Sequence, residues 1–139
     1  MSYNPFDHTN AARLEAVNLL TDAFAEKAFT DSVLPGRTNV NPDELPASLI
    51  YLSDPLIIRK PDEDENETQY LLQIISCVKG DHYHPEELLD KRGKVIWDTF
   101  NNKKIEHVKN KILGVSFEYE TDTESNLCSL TITFKITLQ

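Results

Sequence analysis

The sequence predicts an α+β fold: an antiparallel or mixed β-sheet with an N-terminal helix and a second helical segment packed on it, ending in a C-terminal β-hairpin. Three observations point there. Leu127–Leu138 sorts its side chains into two sets, Cys128, Leu130, Ile132, Phe134, Ile136 and Leu138 against Ser129, Thr131, Thr133, Lys135 and Thr137. Successive side chains on a strand point to opposite faces, so the first set looks into a core and the second toward water or another protein. Two stretches, near Thr9 and from Pro85, repeat apolar residues at helical spacing. The remaining apolar runs are short and separated by Pro, Gly and acidic clusters, as strands are. A length of 139 residues and a 40% hydrophobic content fit one domain over 1–139 that needs neither a disulfide nor a metal to hold it.

The elements follow in order. Met1–Asp7 reads as a tail. Thr9 or Asn10 serves as the N-cap of a helix to about Ala28, with Leu14, Val17, Leu20 and Phe24 on one face beside Ala16, Ala23 and Ala25. Pro35-Gly36 marks a turn flanked by Val33 and Val40, and Pro42–Pro46 a loop or a single helical turn. Ala47–Ser53 and Leu56–Lys60 read as strands separated or bent at Asp54-Pro55, since proline cannot donate to a ladder. Pro61–Glu67 is an acidic loop. Thr68–Lys79 is apolar on both faces, which suits a central strand. Gly80–His84 is a loop before Pro85, Glu86 and Glu87, a favourable start for a second helix through Leu88, Leu89, Arg92, Val95, Ile96 and Phe100. Ile105 and Val108 suggest a further short helix. Val115, Phe117 and Tyr119 alternate with Ser116, Glu118 and Glu120 in a strand that a turn over Thr121–Asn126 joins to the last one.

Charge narrows the partners. The net charge is −9, and the densest basic stretches, Lys91–Lys94 and Lys103–Lys111, are short and offset by acids, so the chain is not expected to bind nucleic acid. An acidic wall repels phosphate, which is useful where DNA must pass without sticking. No apolar window approaches the roughly 18–20 residues of a membrane span, and no secretory leader is read at the N-terminus. The expected setting is the inside of a cell or a particle. Cys77 and Cys128 both fall in strands; reduced core thiols and a bridge across adjacent strands both remain open.

Chemistry is sparse. His82 and His84, with Asp81, Glu86 and Glu87 nearby, offer two imidazoles to a transition metal, but further ligands would have to come from His8 or His107. A polar loop leading into a helix is the plainer reading. Asp62–Glu67 lacks the glycine and ligand alternation of a calcium loop and reads as a solvated loop or as an arm that orders against a neighbouring subunit. Pro35-Gly36-Arg37 is too short to cradle a phosphate. No serine or threonine sits in a nucleophile elbow, and Trp97 reads as core rather than as a stacking platform. No catalytic residue, metal ligand or cofactor site is assigned.

Leu34-Pro-Gly-Arg37, Leu45-Pro-Ala47 and Ile50-Tyr-Leu52 together resemble the corresponding stretch of the minor tail protein U family, the tail terminators of long-tailed phages with the phage lambda protein as type member. The likeness resumes at Glu87-Leu88-Leu89-Asp90 and ends in the hairpin into Leu127-x-x-Leu130-Thr-x-Thr-x-x-Ile136-Thr. It spans most of the chain in order, and departs in a longer N-terminus, the lysine-rich Asn101–Lys111 stretch and the acidic loop's composition.

The resemblance implies a phage tail protein-like fold and a structural protein of a phage or prophage. Such a protein forms a hexameric ring at the head-proximal end of the tail tube, stops polymerisation and offers the head-joining surface. Implied partners are further copies of itself, the tail tube protein and a head-completion or connector protein; the implied location is the virion tail, or the bacterial host cytoplasm before assembly. Arg37 and the acidic residues Asp62, Glu63, Asp64, Glu65 and Glu67 are the expected assembly interface. Another ring-forming tail or neck component, a subunit of a tail-like injection machine, and a small metal-dependent enzyme using His82 and His84 are the competing readings.

Overall fold

The computed structural model describes Phe6, residues 8–58 and residues 67–138. In chain order it runs α1 (Thr9–Glu26), β1 (Ser32–Pro35), a 3-10 turn (Pro42–Glu44), β2 (Ala47–Ile58), β3 (Glu67–Lys79), α2 (Pro85–Phe100), β4 (Leu113–Asp122) and β5 (Leu127–Leu138). The five strands form a mixed sheet in the order β1-β2-β3-β5-β4, in which only β1 and β2 run parallel. The expected α+β architecture, with its central Thr68–Lys79 strand and C-terminal hairpin, is the one observed.

Both helices lie on one face of the sheet. Under them runs a row in register from β2 to β5, Ile50 opposite Ile74 and Ile74 opposite Ile132, continued along β5 by Leu130, Phe134, Ile136 and Leu138. The apolar set read from Leu127–Leu138 is thus the floor of the core. α2 presents Leu89, Ile96 and Phe100 to it, as its spacing predicts. α1 is rotated from expectation: its buried stripe is Thr9, Ala12, Ala16, Leu20 and Phe24, and Leu14 is exposed. Small alanines at the contact allow the helix to lie close. The N-cap is His8, and the Thr9 hydroxyl instead meets the Tyr70 hydroxyl at 3.2 Å.

Three local expectations are corrected. Val33 and Leu34 belong to β1, which pairs with Ser48 and Leu49; Gly36 ends it at a φ of 74°, donating its N–H to the Ile50 carbonyl at 2.8 Å. Ala47–Ser53 and the residues after Pro55 form one strand whose register shifts between Ser53 and Leu56, so the proline sits in a bulge. Ile105 and Val108 form no helix: His107 takes a φ of 69°, and Val108 bridges to Leu138 while both apolar side chains fill the core.

The thiols are free. Cys77 stands opposite Ser129 and Cys128 opposite Val78, a one-residue offset that sends the two sulfurs to opposite faces of the sheet and rules out a bridge between them. Burial pushes the Cys77 thiol up to about 11.

Candidate assembly interface

Two helices, each about 10 Å across, cover about four strands spaced about 4.8 Å apart. The sheet has five strands, and β4 is the one left over. Phe117 and Tyr119 stand on the helix side, opposite Ile132 and Leu130, yet they are 63% and 48% exposed, and Val115 at the β4 bulge is 58% exposed. The strand read from this alternation is present, and its apolar row stays largely exposed because α2 lies mainly over β3 and β5 and meets β4 at few points.

The gap between α2 and β4 is an open groove of about 390 Å³ with Gly93, Trp97, Phe117, Tyr119, Leu130 and Ile132 along it and Asp90 and Lys94 at its rim. Two glycines shape it. A Cβ on Gly93 would lie 2.8 Å from Leu130 Cδ2, so this glycine lets α2 settle onto β5. A Cβ on Gly114 would lie 2.0 Å from Trp97 Cη2; the indole edge occupies that space and its ring tilts over Phe134 at 5.6 Å. Trp97 is therefore half core, as expected, and half groove wall. Tyr119 donates a hydrogen bond to Asp90 across the gap, and that bond, ahead of burial, raises the phenol above its ordinary value.

Among the described residues no α-helix packs on the opposite face, and the 37–45 segment folds back over one end. Leu49 and Cys77 are buried beneath it, while Leu71, Gln73 and Ile75 are half-exposed. Of the hydroxyl row expected to face water or a partner, Lys135 is exposed and Thr131 half-exposed, but Ser129, Thr133 and Thr137 are nearly buried. These short side chains lie between neighbours on β3 and β4, as Thr133 does between Gln73 and Ser116.

Arg37, one expected interface residue, grips the same corner. Its guanidinium donates to both Glu44 carboxylate oxygens at 2.5 and 2.7 Å, and Glu44 also accepts the Asn41 N–H at 2.9 Å. Those hydrogen bonds, the Arg37 one first, hold Glu44 down to about 2, and the same pairing raises Arg37. Asp62, Glu63, Asp64 and Glu65 lie outside the described residues, as does the side chain of Glu67. His82 and His84 are exposed, with the His84 N–H donating to His82 Nδ1 at 3.2 Å, and no group of three or more His, Cys, Asp or Glu able to hold a metal occurs among the described residues.

The sequence reading missed a buried ion pair. Arg92 donates from Nε and Nη2 to the two Asp31 oxygens at 2.6 and 2.8 Å, and from Nη1 to the Leu88 carbonyl at 3.0 Å. The guanidinium also lies 4.7 Å from the centre of the Phe29 ring. An arginine in step with Leu89 and Ile96 on a helix's apolar face was the available signal.

No family profile matches the chain, and no characterised protein matches it in sequence. Its fold does match a solved structure: a chain of the virion of a native gene transfer agent particle superposes with a TM-score of 0.61 over 95% of this chain and 98% of that one, at 10% identity. The likeness is one of fold, and it runs nearly the full length of both chains.

Proposed function

We propose that this chain is a structural subunit of a phage or phage-like tail, a tail terminator that forms a ring at the head-proximal end of the tail tube and presents the surface for joining the head. The observation that carries the reading is the fold shared end to end with a chain of a gene transfer agent virion. The resemblance of Leu34–Arg37, Leu45–Ala47 and Ile50–Leu52 to the minor tail protein U family supplies the position at the tube end.

The architecture suits the role. A closed ring needs heterologous contacts, one patch meeting a different patch on the neighbour. Here the two sheet edges differ in length and exposure, and among the described residues one sheet face lies free of α-helices. The work is binding and no bond is made or broken: a ring that fits a finished tube end and not a free subunit stops growth through its differential affinity. Arg37 with Asp62, Glu63, Asp64, Glu65 and Glu67 takes part in these contacts on this reading.

The test is to size the purified protein alone and with tail tubes, by sedimentation and electron microscopy. A terminator gives rings seated on one end of capped tubes. A ring on an isolated neck, away from the tube, favours a neck component, and a stable dimer with no affinity for tubes defeats the proposal. Reversal of Asp62–Glu67 to lysines is expected to disturb tube-end assembly while leaving the unfolding midpoint unchanged.

A further inference from the structure

We infer that the β4 edge and the aromatic groove beside it form the docking surface for a second copy of this chain, which presents the lysine-bearing segment before its own β4. The inference rests on the ring reading and names one pair of surfaces that meet in it.

The edge is open in a way that marks it for pairing. Among the described residues β4 pairs on one side alone, with β5; its ten residues contain no proline and no lysine, its bulge at Val115 lies near its start, and the charges it carries are acidic. Exposed Phe117 and Tyr119 stand on one face of the strand and exposed Glu118 and Glu120 on the other. Phe117 and Tyr119 extend the groove at Trp97 as apolar area on the helix side, and the two glutamates put negative charge on the other face of the same edge.

Charge chooses the occupant. An antiparallel β4–β4 pair between two copies would set glutamate rows against each other, and like charges directly opposite are destabilising. A basic partner is needed, and the chain carries one. Exposed Lys103, Lys104 and Lys111 lie just before β4, and exposed Lys135 stands opposite Leu113 at its first residue. At about 3.3 Å per residue, Phe117 to Glu120 lie roughly 13–23 Å along the strand from this end. Each copy therefore holds two unlike, complementary patches, as a head-to-tail contact requires. Lysine also suits the groove: its stem can lie along Phe117 and Trp97, and its ammonium can meet an aromatic face or the rim carboxylate of Asp90.

The test uses two full-length variants. One carries Glu118→Lys and Glu120→Lys; the other carries Lys103→Glu, Lys104→Glu and Lys111→Glu. All five side chains are exposed, so each variant is expected to unfold at the wild-type midpoint. Under conditions where wild type forms rings, each alone is expected to lose self-association at least tenfold, and an equimolar mixture to recover it, because each edge then faces an opposite charge. Wild-type rings from the glutamate-reversed variant alone overturn the inference and leave the ring reading standing. Failure of the mixture also overturns it, since the edge must then meet another protein. If wild type forms no ring, alone or on tubes, the ring reading falls first and this inference with it.

Discussion

The two edges of the sheet are treated very differently. β1 is four residues long and ends in a proline, and its corner is pinned twice: the Phe29–Asp31 approach is locked to α2 through Arg92, and the 37–44 segment is clamped by Arg37 and Glu44. β4 is ten residues long and exposed on both faces, joined to α2 across the groove by the Tyr119–Asp90 bond. Short, proline-ended edges resist pairing with other chains, whereas long bare ones invite it. One flank keeps the fold closed. The other is left for a partner, and α2 serves both, with Arg92 on the pinned side and Gly93 and Trp97 on the open one.

On this division the largest loss of stability is expected from the pinned flank. Arg92→Ala leaves the Asp31 carboxylate, 0% exposed against 8% for Arg92, without its cation. Breaking a buried pair this way costs about 3–5 kcal/mol, and replacing both partners by apolar residues costs much less. Urea unfolding of Arg92→Ala, Asp31→Leu and the Arg92→Met/Asp31→Leu double variant checks this. Equal losses for single and double variants would mean that Arg92 matters for its packing on Phe29 rather than for the ion pair.

Next comes the seam where the open flank meets the core. Gly114→Ala drives a methyl into the Trp97 ring, which backs onto Phe134 and can yield only toward the groove. Overpacking of this kind costs about 1–3 kcal/mol. The expected readout is a lower unfolding midpoint with a red-shifted tryptophan emission, as the indole is displaced toward the groove. A wild-type spectrum would show the groove wall to be looser than the packing implies.

What was legible in the sequence follows this same division. Strong periodicity gave β5, β3 and α2, because their apolar residues are spaced for one face and find a core there. β1 was not legible: Val33 and Leu34 pair through backbone bonds with a strand more than a dozen residues away, and four residues carry no period. α1 was found but turned, since alanines at Ala12 and Ala16 weigh little on a hydrophobic face yet define the close contact. The exposure of β4 was illegible for a geometric reason. Nothing in Val115, Phe117 and Tyr119 says that the sheet is one strand wider than its helices. Of the expected interface, Arg37 proves to hold its own loop, and the acidic loop lies outside the described residues.

The half-buried clamp on the pinned flank is expected to show as a pH effect. Glu44 in the folded chain sits at about 2, below its ordinary 4.5, so its contribution is present above pH 4.5 and is lost as pH falls from there toward 2. Protection from hydrogen exchange at the Asn41 and Glu44 amides should fall across that window relative to the sheet amides. Glu44→Gln should abolish this change in protection and hold it at its acid level throughout. Persistence of the effect in Glu44→Gln would assign it to another carboxylate.

The smallest effect on stability, and the most telling for the comparison, is expected on the open flank. Phe117→Ser removes a large aromatic side chain, a change that costs several kcal/mol in a core. At 63% exposure Phe117 keeps most of its surface in water already, and the change should fall within about 0.5 kcal/mol of wild type. Its effect belongs to association: ring formation should weaken while the urea midpoint stays put. A midpoint that drops by several times that amount would place Phe117 in the monomer's own core, and β4 would then be one more stabilised strand rather than an edge held open. A stable monomer that no longer assembles separates the two roles, because one side chain would be dispensable to the fold and needed by the ring.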